Sequence, residues 1–191
     1  EYYGDAVDVV TAIRDEPYTC FLDSSLLGNL GRWSFVGYRP FLIMMMKQGR
    51  VLIDGLDAGS NPFEILTELL KEHRVSPNES APPFACGGAG FLSYDLGRYF
   101  EKIPSLAADD SSQPDLCFAF YDCVLAFDHV DNQTWLCSLS TGGKKAKELL
   151  DRLKTINHSD EKQSRLFKPG EILDWDKIES NFDHADYLKT V

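Results

Sequence analysis

Asp23 and Ser24 end the run Phe21-Leu22-Asp23-Ser24-Ser25, and Arg32 and Trp33 open the run Gly31-Arg32-Trp33-Ser34-Phe35-Val36-Gly37. A carboxylate, a hydroxyl, a guanidinium and an indole thus fall close together in the chain. If the two strands are neighbours, Asp23 or Ser24 can bind an ammonium group, Arg32 a carboxylate, and Trp33 can form an apolar wall. That combination suits an amino acid. The same residue types also fit a bridge between strand-end Asp and Arg side chains over a buried Trp.

Other residues with chemical potential lack partners. Gly87-Gly88-Ala89-Gly90 has neither a following Lys-Ser/Thr nor the GxGxxG spacing and opens a strand, so its glycines read as close backbone packing and not as a phosphate loop. His73, His129, His158 and His184 show no metal-ligand spacing and read as structural or exposed. The pairs Asp109-Asp110 and Asp5 with Asp8 read as solvated loop and helix-end carboxylates. The five cysteines, Cys20, Cys86, Cys117, Cys123 and Cys137, lie in apolar settings without CxxC spacing and read as reduced core thiols.

Charge narrows the function classes. Lys and Arg total 19 against 30 acidic residues, a net charge of −11, which repels nucleic acid over most of the surface. No apolar run reaches the roughly 20 residues that span a bilayer, and Glu1-Tyr2-Tyr3-Gly4-Asp5 is not a secretory signal. The expectation is a cytoplasmic protein that binds neither nucleic acid nor membrane. Matches to the glycosylation pattern at Asn78, Asn132 and Asn157 then read as turn residues. Lacking an initiator Met and ending at Val191 without a natural stop, the chain reads as a piece of a longer protein.

The elements that must position these residues follow from periodicity. Asp5 caps a short amphipathic helix over 5–15, with Ala6, Val9, Val10 and Ile13 on one face. Residues 18–23, 34–38, 41–46 and 50–54 read as antiparallel strands, with Gln48-Gly49 as a hairpin tip. Asn61 and Pro62 start a helix that runs to about His73. A strand over 87–94 leads into a short helix over 96–100, and 116–130 reads as one long central strand paired with 134–139. A helix over 144–156 and a polar linker over 157–165 follow. Strands arriving in runs predict an α+β fold, a mostly antiparallel sheet or sandwich with flanking helices.

One signature stands above this pattern: Gly87-Gly88-Ala89-Gly90-Phe91-Leu92-Ser93-Tyr94-Asp95-Leu96-Gly97-Arg98-Tyr99-Phe100-Glu101. With the two runs around Asp23 and Arg32, Pro114-Asp115 before the long apolar stretch, and Asn181-Phe182, Tyr187 and Val191 at the end, it resembles the amino-terminal region of component I of anthranilate and aminodeoxychorismate synthases. The Asp95-Leu96-Gly97-Arg98 form resembles the aminodeoxychorismate branch more than the anthranilate branch.

The resemblance implies a domain like that amino-terminal region over 1–165, then a linker and the start of a chorismate-binding domain over 166–191. It implies an enzyme that aminates chorismate for 4-aminobenzoate and folate, using Mg²⁺ and ammonia from a glutamine amidotransferase partner. The metal and chorismate residues would lie in the later domain, so this stretch alone should be inactive. It also implies a tryptophan pocket at Leu22, Asp23, Ser24, Leu30, Gly31, Arg32 and Trp33, either open to a ligand or filled by the bulk of Trp33 itself. The alternatives are anthranilate synthase component I and a stand-alone amino-acid-binding regulatory module.

Overall fold

The computed structural model describes residues 5–26, 28, 30–76, 78–104, 112–139, 143–155 and 183–190. The chain divides into two compact units, Glu1–Ser159 and Asp160–Val191. The first holds every strand described below.

Helix α1 (Ala6–Ala12) starts where the Asp5 carboxylate accepts from the Val7 N–H, and buries Ala6 and Val9. Strands β1 (Cys20–Leu22), β2 (Trp33–Gly37), β3 (Leu42–Lys47), β4 (Arg50–Ile53) and β5 (Leu56–Gly59) follow. Two hairpin tips join the last three. Gln48-Gly49 and Asp54-Gly55 all have positive φ, between 48° and 83°, the type I′ geometry that matches strand twist. The second tip carries β5, which the sequence reading passed over although Asp-Gly is a hairpin signal.

Helix α2 (Pro62–Glu72) is capped by Asn61, whose side chain accepts from the Glu64 N–H and donates to the Glu64 carboxylate. Strand β6 (Gly87–Leu92) leads into a 3-10 turn at Tyr94–Tyr99, then β7 (Leu116–Tyr121), β8 (Cys123–Asp128), β9 (Gln133–Ser138) and α3 (Gly143–Leu153). In the second unit, α4 (His184–Thr190) is described by itself; the expected linker over 157–165 and the pair Asp109-Asp110 lie outside the described residues.

All strand pairs are antiparallel, in two sheets ordered β1-β2-β8-β9 and β5-β4-β3-β7-β6. The expected antiparallel sandwich with flanking helices is the fold found. Val9 of α1, Ile13 just past its end, and Leu149 and Leu153 of α3 cover Val36, Leu125 and Phe127 on the outer face of the first sheet. Tyr121, Val124, Phe35 and Phe84 fill the space between the sheets. Leu69 of α2 and Leu96 of the 3-10 turn cover Met44, Met46 and Phe120 on the far face of the second.

The stretch expected as one long strand is two. β7 lies between β3 and β6, while β8 lies between β2 and β9 in the other sheet. Only Asp122 separates them. A strand covered on both faces is apolar throughout in either arrangement, so the sequence could not distinguish one central strand from two. The partner ribbon changes sheet at the same corner, where the Tyr38 N–H donates to Cys123 O and the Phe41 N–H to Phe120 O. Buried Asp122 marks the bend, and its carboxylate accepts from Lys145 at 2.7 Å.

Gly90 shows why the signature is glycine-rich. A Cβ there would fall 1.9 Å from Cys117 O and 2.7 Å from Phe118 Cα, so β6 lies against the β7 backbone in a way that only glycine permits. The rest of the signature anchors the β3–β4 hairpin. The Tyr99 hydroxyl donates to Asp115 at 2.9 Å and accepts from the Gly49 N–H at 2.8 Å.

Candidate functional site

At one end of the first sheet, β1, β2 and β8 bring together residues far apart in sequence. Ser24 donates to Trp33 O at 2.7 Å, and the His129 N–H donates to Arg32 O at 2.9 Å. Ser34, fully buried on β2, is the hub of a polar chain. Its Oγ accepts from the Ser24 N–H at 3.0 Å, contacts the Asp23 carboxylate at 2.9 Å and His129 Nε2 at 2.7 Å. A carboxylate can only accept, so the Ser34 proton goes to Asp23, and His129 donates its Nε2–H to Ser34. In a nucleophile set the serine proton is taken by an imidazole base. Here it goes to a carboxylate and the serine is buried, so the chain positions Asp23 and is not built for attack.

A cavity of about 320 Å³ opens beside this chain, lined among others by Asp23, Ser24, Asp128, His129 and Thr134, with Asp5 from the start of α1. The Asp5 and Asp23 carboxylates make it a place for a cationic group, while the Asp128 carboxylate is taken by Arg32. Thr134 Oγ1 is buried without a hydrogen-bond partner, a polar atom left for something in the cavity to meet.

Arg32 is committed elsewhere. Its Nε donates to both Asp128 oxygens, at 2.9 and 3.0 Å, and its Nη2 to Asp128 and to Asp131. Hydrogen bonding to Asp128 raises the guanidinium pKa further, and the same bond holds the Asp128 carboxyl below the usual carboxylate value. The guanidinium also lies 5.2 Å from the centre of the Trp33 ring, which stacks on Phe35 with centroids 6.0 Å apart.

The expected residues therefore meet at one sheet end but not in one cavity. Asp23 and Ser24 line it; Arg32 and Trp33 are not among its lining residues. Side chains alternate along β2, so Trp33 and Phe35 face the neighbouring sheet while Ser34 faces the α1 side. The Arg–Asp bridge over a tryptophan exists, with Asp128 as the carboxylate instead of Asp23. Leu22 and Leu30 are exposed. Gly31 is a packing glycine, since a Cβ there would fall 2.0 Å from Leu26 O.

Sequence reasoning missed Ser34, Asp128, His129 and Thr134 as site residues. The available signal was Asp128-His129 ending an otherwise apolar run. Among the described residues, no three His, Cys, Asp or Glu side chains are placed to hold a metal ion, and no helix is long and apolar enough to cross a membrane.

The chain is similar to known proteins over all or part of its length. Anthranilate synthase component 1 of Acetivibrio thermocellus is 25% identical over 210 residues, covering all of this chain and 42% of that one. The Thermus thermophilus protein of the same name is 33% identical over 138 residues, 72% of this chain and 29% of that one. Aminodeoxychorismate synthase component 1 of Bacillus subtilis is 31% identical over 116 residues, 59% and 25% of the two chains. The chain thus spans less than half the length of these curated relatives. The crystal structure of anthranilate synthase component I from Streptococcus pneumoniae shares the fold, with a TM-score of 0.57 and 23% identity over 68% of this chain and 31% of that one. The profile of the family described as chorismate binding enzyme matches residues 32–191, and this chain belongs to that family.

Proposed function

We propose that this chain is the amino-terminal part of a component I that aminates chorismate to 4-amino-4-deoxychorismate. Support for amination of chorismate comes from the family match over 32–191 and from relatives of both synthase types. The observation that carries the choice of product is the Asp95-Leu96-Gly97-Arg98 segment. Its form resembles the aminodeoxychorismate branch more than the anthranilate branch, and it is held in place by burial of Leu96 and by the Arg98–Asp95 pair at 2.8 Å. In this reading chorismate, Mg²⁺ and the ammonia supplied by a glutamine amidotransferase partner act on residues beyond those described. The described carboxylates do not fit a metal, so no step is assigned to them.

The strand-end cavity is proposed to take the ammonium end of an amino acid of the tryptophan type, through Asp23 and Ser24. Its carboxylates support this, and the use of Arg32 by Asp128 argues that the ligand's carboxylate is held by another group.

Anthranilate as the product is the second reading, favoured by the 33% identity to the Thermus thermophilus protein. Incubating the full-length protein with chorismate, ammonia and Mg²⁺ and separating the products decides between them. 4-Amino-4-deoxychorismate supports the proposal, and anthranilate overturns it. Calorimetry with tryptophan on the wild-type chain and on Asp23→Asn tests the pocket; absence of binding, or binding unaffected by the substitution, removes it.

A further inference from the structure

Beside the end of α2, on the far face of the second sheet, lies a second cavity, of about 440 Å³, that shares no lining residue with the strand-end site. Its volume lies in the range of small-molecule sites. The rings of Phe41, Phe120 and His73 meet along its wall. Phe41 and Phe120 stand 6.3 Å apart, and the His73 ring lies edge-on to Phe41 at 5.0 Å and 6.4 Å from Phe120. Phe120 is buried and forms the floor, while Leu70 is 53% exposed at the lip. Rings meeting edge to face present both ring edges and ring faces to a guest, an arrangement that favours a flat aromatic over an aliphatic one.

The polar groups are few and differ in availability. Asp122 is already paired with Lys145. Exposed Glu72 and exposed Arg74 line the rim, and among the described residues the Arg74 side chain makes no hydrogen bond or ion pair. A free guanidinium on an apolar, aromatic cavity, in a chain of net charge −11, is a receptor for one carboxylate. Glu72 keeps that carboxylate on the Arg74 side.

We propose that this cavity binds a small aromatic monocarboxylate, its ring against Phe41 and Phe120 and its carboxylate on Arg74. The site is independent of the amino-acid pocket proposed above. It requires no chemistry of the chain, only recognition.

Calorimetry or ligand-observed NMR on this chain with 2-naphthoate tests it, with 2-naphthalenemethanol and cyclohexanecarboxylate as the neutral and the aliphatic control. Saturable binding of 2-naphthoate with a Kd on the order of 0.1 mM is expected, both controls being about tenfold weaker. Arg74→Gln should weaken 2-naphthoate about tenfold without affecting the neutral control. Leu70→Trp, which fills the mouth from an exposed position, should abolish binding at an unchanged melting temperature, while Asp23→Asn should leave it intact. No saturation at about 10 mM, or binding unchanged in both Arg74→Gln and Leu70→Trp, overturns the proposal. Loss of 2-naphthoate with Asp23→Asn would assign it to the strand-end site and overturn the proposal equally.

Discussion

Ser34 Oγ lies 2.7 Å from Nε2 of His129, a contact between residues 95 positions apart that holds the end of β2 to the end of β8. The same oxygen serves Asp23 and the Ser24 N–H. Ser34→Ala removes all three contacts at once and leaves the half-buried Ser24 N–H unpaired. The expected loss is about 1–3 kcal/mol in urea unfolding, the cost of an unsatisfied buried polar group. A loss within a few tenths of a kcal/mol, comparable to an ordinary surface change, would mean that water replaces the hydroxyl.

Acid should weaken the fold through two pairs. Hydrogen bonding to Arg32 holds the Asp128 carboxyl below its ordinary 3.8, and hydrogen bonding to Arg39 holds Glu16 below its ordinary 4.5. A carboxylate with a lowered folded pKa adds stability that is present above the ordinary value and lost as pH falls through the folded one. Unfolding midpoints should therefore drop as pH falls below the ordinary carboxylate range. The double variant Asp128→Asn, Glu16→Gln should be less stable at neutral pH and show a shallower acid decline. An acid slope identical to that of the parent would assign the decline to other groups.

The corner between the sheets depends on Lys145, whose Nζ donates to Asp122 at 2.7 Å and to Arg39 O at 2.9 Å. Lys145→Met keeps the apolar stem but leaves the buried Asp122 carboxylate unpaired, at about 2–3 kcal/mol. Adding Asp122→Asn should recover part of this loss, because the second change removes the stranded charge. Strict additivity of the two in denaturant titrations would show that the pair does not interact.

Gly90→Ala should cost about 3 kcal/mol or more, since its Cβ would overlap the β7 backbone, which cannot move aside as a side chain can. Gly143→Ala is the control: nothing lies within 4 Å of a Cβ there. Thermal melts that place both variants at the parent value would show β6 lying farther from β7.

Burial pushes the Cys123 thiol up to about 11 from its ordinary 9.0. A raised folded pKa contributes stability that is complete below the ordinary value and lost as pH rises toward the folded one. Cys123 should therefore be the last cysteine alkylated by iodoacetamide at pH 8, and unfolding should ease between pH 9 and 11. Rapid modification of Cys123 in the folded chain would contradict the burial of β8.

Much of this was legible from short-range pattern. The Asn61-Pro62 start of α2, the Asp5 cap of α1, the Gln48-Gly49 tip and the antiparallel class follow from rules that act over a few residues, where local backbone preference and packing agree. The Asp54-Gly55 tip was equally local and was passed over. The place of Asp23 and Ser24 at a strand end was readable in the same way.

What the sequence determined by itself was therefore local: the caps, the tips, the apolar faces, and the family to which the ordered motifs belong. What only the tertiary structure decided was pairing. Residues 116–130 are apolar on both faces whether they form one strand or two, and only the corner at Asp122 assigns them to different sheets. Arg32 could have met any carboxylate, and the β2–β8 register, which sets Trp33 opposite Asp128, gives it that one in place of Asp23 or a ligand. Register across nearly a hundred residues of intervening chain follows from burying two faces at once, a global condition that no local pattern records.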